Sequence, residues 1–102
     1  MNIKQFRLYL SQNYTNTRVI SDITSRCKRV EKYEGDLDEH FVYDNGKTLL
    51  TKMNYSKEDA NRQIEPHHSI PIKGKKGYQS IYEGTLSLYH ALELYFDFKN
   101  KM

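Results

Sequence analysis

The last quarter of the sequence constrains the fold most strongly, because it is apolar at helical spacing throughout. Apolar and aromatic residues recur every three or four positions from Tyr78 to Phe98, the period of one helix face. The stripe consists of Tyr78, Ile81, Tyr82, Thr85, Leu88, Tyr89, Leu92, Tyr95 and Phe96, and is widened by Leu86, Ala91, Leu94 and Phe98. A helix that is apolar over most of its girth lies at the centre of a bundle or contributes to a second interface.

Two further helices are predicted in the first third of the chain. Asn2 and Gln5 have the spacing of a capping box, and an apolar stripe then runs to about Gln12. Residues 13–17 are turn and cap formers, so a break is expected there. The next helix ends at Gly35, a typical C-terminal cap. Its stripe has spacings of three, four and three, through Ile20, Ile23, Cys27 and Val30.

The middle of the chain predicts short helices joined by turns. Asp36 with Glu39, and Ser56 with Asp59, are candidate capping boxes. The Asn-Gly step at 45–46 is compatible with a hairpin, but residues 47–53 do not alternate cleanly. Their apolar spacing favours a helix over a strand. Residues 65–77 carry two prolines and two glycines without periodicity, which indicates a loop.

These patterns predict an all-α fold: a compact bundle of four to five helices. A length of 102 residues corresponds to one domain, here residues 1–102. We expect one core that buries the following side chains together: Phe6, Ile20, Ile23, Leu88, Leu92 and Phe96.

Composition narrows the class of protein. Hydrophobic residues make up 37% of the chain and charged residues 28%, as in ordinary folded domains and unlike a disordered tail. No apolar run is long enough for a membrane span, and the first residues lack the apolar stretch of a secretion signal. A lone cysteine cannot form an internal disulfide, so we expect a cytoplasmic protein. A chain of this size is not expected to be a self-sufficient enzyme.

Charge is distributed unevenly along the chain. Residues 1–35 carry seven Lys/Arg against three Asp/Glu, residues 36–69 four against seven, and residues 70–102 five against three. The formal net charge of +3 does not by itself indicate nucleic-acid binding. Local clustering matters more, because a basic surface attracts phosphate even on a nearly neutral molecule.

The second predicted helix carries most of the basic residues of the first segment. They lie off its apolar stripe and comprise Arg18, Arg26, Lys28, Arg29 and Lys32. Positions 18, 25, 29 and 32 share one face, and guanidinium and hydroxyl groups together suit phosphate oxygens. The alternative is a solvated helix face with ordinary ion pairs, such as Lys28 with Glu31.

A second basic cluster lies in the predicted loop. Lys73, Lys75 and Lys76 are interleaved with Gly74 and Gly77, whose backbone can approach a phosphate closely. Binding there would release counterions. The spacing is not that of a nucleotide-binding P-loop. The alternative is a flexible, solvated loop.

No metal, cofactor or catalytic pattern is found. Pro66-His67-His68 lacks partners at metal-ligand spacing. Cys27 lies on an apolar stripe, so it is expected to be a core residue. We therefore expect no metal, no cofactor and no catalytic residue.

Both ends of the chain resemble a known helical family. Phe6-Arg7-Leu8-Tyr9-Leu10, a polar break and a Thr-led helix ending Cys27-Lys28-Arg29-Val30-Glu31 are similar to the start of a core-binding domain. Residues 88–98 resemble that family's closing helix. Such SAM-like domains precede the catalytic domain of tyrosine recombinases and phage integrases, and their second helix lies against DNA. The resemblance implies a SAM-like bundle that contacts DNA through the second helix; no catalytic domain is present to carry over.

Two functions from different classes follow as hypotheses. The first is a non-catalytic module that contacts duplex DNA phosphates through the basic helix and the lysine-glycine loop. The alternative is a small phage or mobile-element protein whose acidic middle or exposed apolar helix binds, and could inhibit, a larger nucleic-acid-processing protein. We expect DNA as the partner, a larger protein as the alternative, no membrane, and a monomer or a dimer through the C-terminal helix.

Overall fold

The protein is built only from helices and the turns between them. The structure, a computed structural model, describes residues 1–102 and contains no strand. Five helices have six residues or more, and α5 is a single short turn. Their bounds are α1 Ile3–Ser11, α2 Thr17–Glu34, α3 Leu37–Asp44, α4 Lys47–Lys52, α5 Lys57–Asn61 and α6 Tyr78–Asn100. The predicted all-α bundle is confirmed.

Four of the six helices, α1, α2, α3 and α5, begin at a residue whose side chain caps them. Ser56 and Asp59 form the complete reciprocal capping box of α5. At α1 the box is only half formed: the Asn2 side chain accepts the Gln5 N–H, whereas the Asn2 N–H is donated to the Tyr95 hydroxyl. Side-chain caps at these positions satisfy backbone donors that have no partner within the helix.

The Asn-Gly step joins two helices rather than two strands. Asn45 and Gly46 both have left-handed backbone angles, with φ of 61° and 79°. A Cβ on Gly46 would lie 2.5 Å from the Phe96 ring, so the turn packs directly on α6. Leu49 and Met53 of the following segment are buried, as the helical interpretation predicts.

Helix α6 runs through the centre of the bundle. It packs against α2, α5, α1 and α4, which explains why apolar residues cover most of its girth. The core is one cluster of 16 buried residues. It contains all six side chains expected there: Phe6, Ile20, Ile23, Leu88, Leu92 and Phe96. Whether α6 also forms a dimer contact is not tested and stays a prediction. No helix is both long enough and apolar enough to cross a bilayer.

The side chain of Tyr95, on α6, connects three helices. Its ring packs edge-on against Phe6, with centroids 5.0 Å apart, and its hydroxyl donates to the Asp38 carboxylate. Burial, and then the Asp38 carboxylate, raise the pKa of the Tyr95 hydroxyl. The same hydroxyl accepts the Asn2 N–H, so α1, α3 and α6 meet at one polar group.

The first half of the 65–77 loop is anchored to the bundle. Glu34, at the end of α2, accepts hydrogen bonds from the Ser69 N–H at 2.9 Å and the Ser69 hydroxyl at 2.8 Å. Lys52 pairs with the same carboxylate at 2.9 Å. Ile70 is buried in the core, and Ile72 packs onto Gly84 of α6. Beyond Ile72 the loop is exposed as far as Gly77.

Candidate nucleic-acid interface

All five basic residues predicted on α2 are exposed. At about 100° per residue, Arg18, Arg29 and Lys32 lie on the side of the helix opposite its buried stripe. Arg26 and Lys28 lie on opposite flanks of that side, about 160° apart around the helix axis. Arg29 lies between Arg26 and Lys32, about 60° from each around the helix axis, and Lys28 lies about 40° beyond Lys32, on the flank away from Arg26. That these cations form one binding face stays a prediction.

The loop lies along the flank that carries Arg26. Two contacts hold the loop along this flank of α2. The Glu34 carboxylate accepts the Ser69 N–H at one edge of the flank, and the Arg29 guanidinium donates to the Pro71 carbonyl at the other edge. Lys73 follows Pro71 by two residues, a chain length of about 7 Å at most. The Arg29–Pro71 hydrogen bond therefore brings the two basic clusters next to each other, although they are more than forty residues apart in sequence.

The α2 part of this surface is a shallow recess. It has a volume of about 330 Å³ and is lined by Asp22, Ser25, Arg26 and Arg29. Two guanidinium groups and a hydroxyl are hydrogen-bond donors suited to phosphate oxygens. The Asp22 carboxylate lies among them and reduces the local positive potential. The recess is therefore suited to an anion, but its charge is not uniformly positive.

The loop part is a second shallow recess at the start of α6. It has a volume of about 370 Å³ and is lined by Lys73, Gly74, Lys75, Lys76, Ser80, Glu83, Gly84 and Ser87. The Ser80 hydroxyl accepts the Lys76 N–H at 3.0 Å. A Cβ on Gly74 would lie 2.4 Å from the Ser80 side chain, so a glycine is needed for this close approach.

The N-terminus of α6 adds to the positive charge of the loop. The first turn of this 23-residue helix contains no acidic residue. Aligned peptide dipoles give a helix N-terminus a partial positive charge that acts over about one turn. The lysines at 73, 75 and 76 precede that end directly, so the helix and the ammonium groups attract anions to the same place.

The predicted site residues form no ion pairs. Four other lysine and arginine side chains are paired: Lys52 with Glu34, Arg62 with Glu58, Lys99 with Asp38 and Lys101 with Asp97. The eight predicted cations are absent from every ion pair: Arg18, Arg26, Lys28, Arg29, Lys32, Lys73, Lys75 and Lys76. The alternative of Lys28 paired with Glu31 is therefore not formed.

Glu31 has other partners. Its carboxylate accepts the Leu37 N–H at 3.0 Å and lies 3.4 Å from the Met1 nitrogen. It is thus turned toward the start of α3 and away from Lys28. The spacing of Lys28 and Glu31 allows an ion pair on a helix, but tertiary contacts decide which partner the carboxylate takes.

Cys27 and His68, whose side-chain types are common in catalytic and metal sites, take part in packing. Cys27 is buried, as its stripe predicted, and burial raises its pKa to about 12, so the thiol stays protonated. His68 is also buried. Its Nδ1 accepts the Ile70 N–H at 3.1 Å, so Nε2 carries the proton that is donated to the Thr85 hydroxyl at 2.8 Å.

Another surface recess is lined by none of the predicted basic residues. It has a volume of about 560 Å³ and is lined by Tyr14, His90, Glu93, Leu94 and Asp97. Both carboxylates already have partners, because Glu93 pairs with His90 and Asp97 with Lys101. The recess presents no group that the sequence analysis identified as a binding residue.

Sequence reasoning missed three polar groups of this surface. The Pro71 carbonyl and the Ser80 hydroxyl were not among the predicted site residues, and neither was Asp22. None of the three belongs to a recognisable motif. Only Asp22 could have been found from the sequence, because it lies four residues before Arg26 and on the same exposed side of α2.

Comparison with known proteins found no match. No family model, no curated protein and no solved structure matches the chain. The resemblance to core-binding domains therefore depends on the quoted residues alone and stays a prediction.

Proposed function

We propose that the protein binds the phosphate backbone of duplex DNA and has no catalytic role. The surface consists of the α2 cations Arg18, Arg26 and Arg29 and the loop cations Lys73, Lys75 and Lys76. The observation that carries the proposal is the placement of the loop along α2, where Glu34 binds Ser69 and Arg29 contacts the Pro71 carbonyl, because it brings the helix and loop cations onto one side of the molecule.

The absence of ion pairs supports this proposal. A cation that keeps a carboxylate partner neutralises less of a phosphate's charge, so its contact displaces fewer of the counterions condensed on the DNA. The six cations of this surface have no such partner, so each phosphate contact would release about one counterion. Their exposure also leaves them free to reach a polyanion.

The dimensions of the surface suit a duplex. Arg18 and Arg29 are eleven residues apart on α2, a distance of about 16 Å along the helix axis. That distance corresponds to about five base pairs of duplex at 3.4 Å each. Arginine and lysine contacts to phosphate position a protein without reading bases, so the affinity is expected to be similar for unrelated sequences.

The experiment is a titration of a fluorescent random-sequence duplex at several salt concentrations. The variant Lys75→Ala/Lys76→Ala removes two exposed side chains that form no hydrogen bond or ion pair within the protein. We expect the slope of log K against log salt to fall by about two for this variant. Its matched control, Lys47→Ala/Lys57→Ala, removes the same charge from exposed positions on α4 and α5 and should retain the parent slope.

Two outcomes would overturn the proposal. One is an absence of duplex binding at about 50 mM salt, where phosphate contacts are strongest. The other is an equal loss of slope in both double variants, which would mean that net charge and not this surface determines the binding.

A further inference from the structure

Three large apolar side chains are unusually exposed. Leu8 is 55% exposed, Val42 84% and Tyr43 80%, and apart from the terminal Met102 no other large apolar side chain is more than 40% exposed. Leu8 lies on α1, and the other two lie on α3. Both helices bury their opposite sides in the core, so these residues form two separate apolar patches on the surface.

The α3 patch has an acidic rim. It consists of Asp38, Glu39, Val42 and Tyr43, which line a recess of about 430 Å³. Asp38 already contacts Tyr95 and Lys99. Glu39 is exposed and has no ion-pair partner, so its charge is available to a molecule that covers Val42 and Tyr43.

The α1 patch has a basic rim. Lys4, Arg7 and Leu8 project from α1 beside Thr17 and Ile20 of α2, and with Ser11 they line a recess of about 330 Å³. The Arg7 guanidinium donates to the Ser21 hydroxyl at 3.3 Å, which holds it along the edge of the recess. Lys4 is exposed and unpaired.

We propose that the α3 patch of one copy binds the α1 patch of a second copy. Val42 and Tyr43 would cover Leu8, and Glu39 would lie against Lys4 and Arg7. The two patches are complementary in charge, and contact between them would bury the three most exposed internal apolar side chains of the chain. Neither patch contains a residue of the proposed DNA surface, so self-association and DNA binding use different parts of the molecule.

The contact would join two different surfaces and not two copies of the same surface. An α3 patch facing another α3 patch would place Glu39 against Glu39, and an α1 patch facing its own kind would oppose Lys4 and Arg7 to each other. Like charges in contact are unfavourable, so the head-to-tail arrangement is preferred. Each copy in such a contact leaves one patch free, and assembly continues with concentration unless the rotation closes a ring.

The patches are small, so the association is expected to be weak. Interfaces below about 1,200 Å² are typical of transient contacts. We therefore expect the average mass in sedimentation equilibrium to rise above the 12.2 kDa of one chain between about 10 µM and about 1 mM protein, without DNA.

Charge reversal tests the two patches together. Lys4→Glu and Glu39→Lys should each weaken self-association by about tenfold, because each places like charges in contact. An equimolar mixture of the two variants should associate again, because Glu39→Lys retains the parent α1 patch and Lys4→Glu retains the parent α3 patch, and these two patches form the parent contact. Lys57→Glu, an equal charge change on α5, should behave as the parent, and circular dichroism confirms that each variant is folded.

A parent protein that keeps the mass of one chain up to about 1 mM would overturn the proposal. So would single variants that associate like the parent, or a mixture that associates no better than its components. Because DNA is absent from these measurements, a failure here leaves the DNA titration unaffected, and the reverse also holds.

Discussion

Replacing Gly84 by alanine sets two effects of opposite sign against each other. Gly84 lies within α6 at ordinary helical angles, where alanine is favoured over glycine by roughly 0.5–1 kcal/mol. The new Cβ would lie 2.6 Å from Cγ2 of Ile72, however. That methyl belongs to a stiff β-branched side chain, so relief requires movement of Ile72 itself, at a typical overpacking cost of about 1–3 kcal/mol. We expect a net destabilisation of about 0–2.5 kcal/mol.

A double-mutant cycle separates the two effects. In an Ile72→Ala background the clash is removed, and Gly84→Ala should then stabilise the protein by roughly 0.5–1 kcal/mol. The free energy of unfolding is measured by urea denaturation, followed by circular dichroism, for the parent, both single variants and the double variant. Equal stabilisation in both backgrounds would show that Ile72 does not rest on Gly84, and the anchoring of the lysine loop would have to be reconsidered.

Two further predictions concern the core and its response to pH. Truncation of the fully buried Leu92 to alanine should lower the free energy of unfolding by about 2–5 kcal/mol in urea denaturation, and a much smaller loss would argue against its central position. Burial lowers the pKa of His68, so the unfolded chain takes up a proton near pH 6.5 that the folded protein does not. Stability should therefore fall as the pH drops below about 6.5, until the folded-state pKa is passed. The urea midpoint of His68→Gln should change less than that of the parent between about pH 7.5 and about pH 5.5, and a parallel change in both would refute the assignment.

Local features of the fold could be predicted from sequence because they depend on neighbouring residues. The capping box at Ser56 and Asp59 and the end of α2 at Gly35 form within single turns of chain. The helix after Gly46 was also predictable, since the apolar spacing of residues 47–53 requires no knowledge of distant packing. The partner of the Asn2 N–H was not, because Tyr95 lies 93 residues away in the chain.

The candidate site was predictable in its residues but not in its arrangement. Periodicity identifies which α2 cations are exposed, and composition identifies the lysine loop. Their proximity depends on where Glu34 and Arg29 hold the loop, at Ser69 and Pro71. Those contacts span 35 and 42 residues, and follow from the packing of α2 on α6. The position of Lys28 relative to the loop could not be predicted either, because only the structure shows that Lys28 faces away from the loop.

The central position of α6 has a consequence for how the chain folds while it is synthesised. Six of the sixteen core residues belong to this helix, which follows the other five helices in the chain. Of the five helices that precede it, only α2, with 18 residues, exceeds the roughly 12–15 residues at which an isolated helix becomes stable. At a synthesis rate of about 5–20 residues per second, the 23 residues of α6 are added over about 1–5 s after Gly77. Since Phe6 and Leu49 pack in the same core as the α6 residues, we expect that core to be completed only once α6 is available.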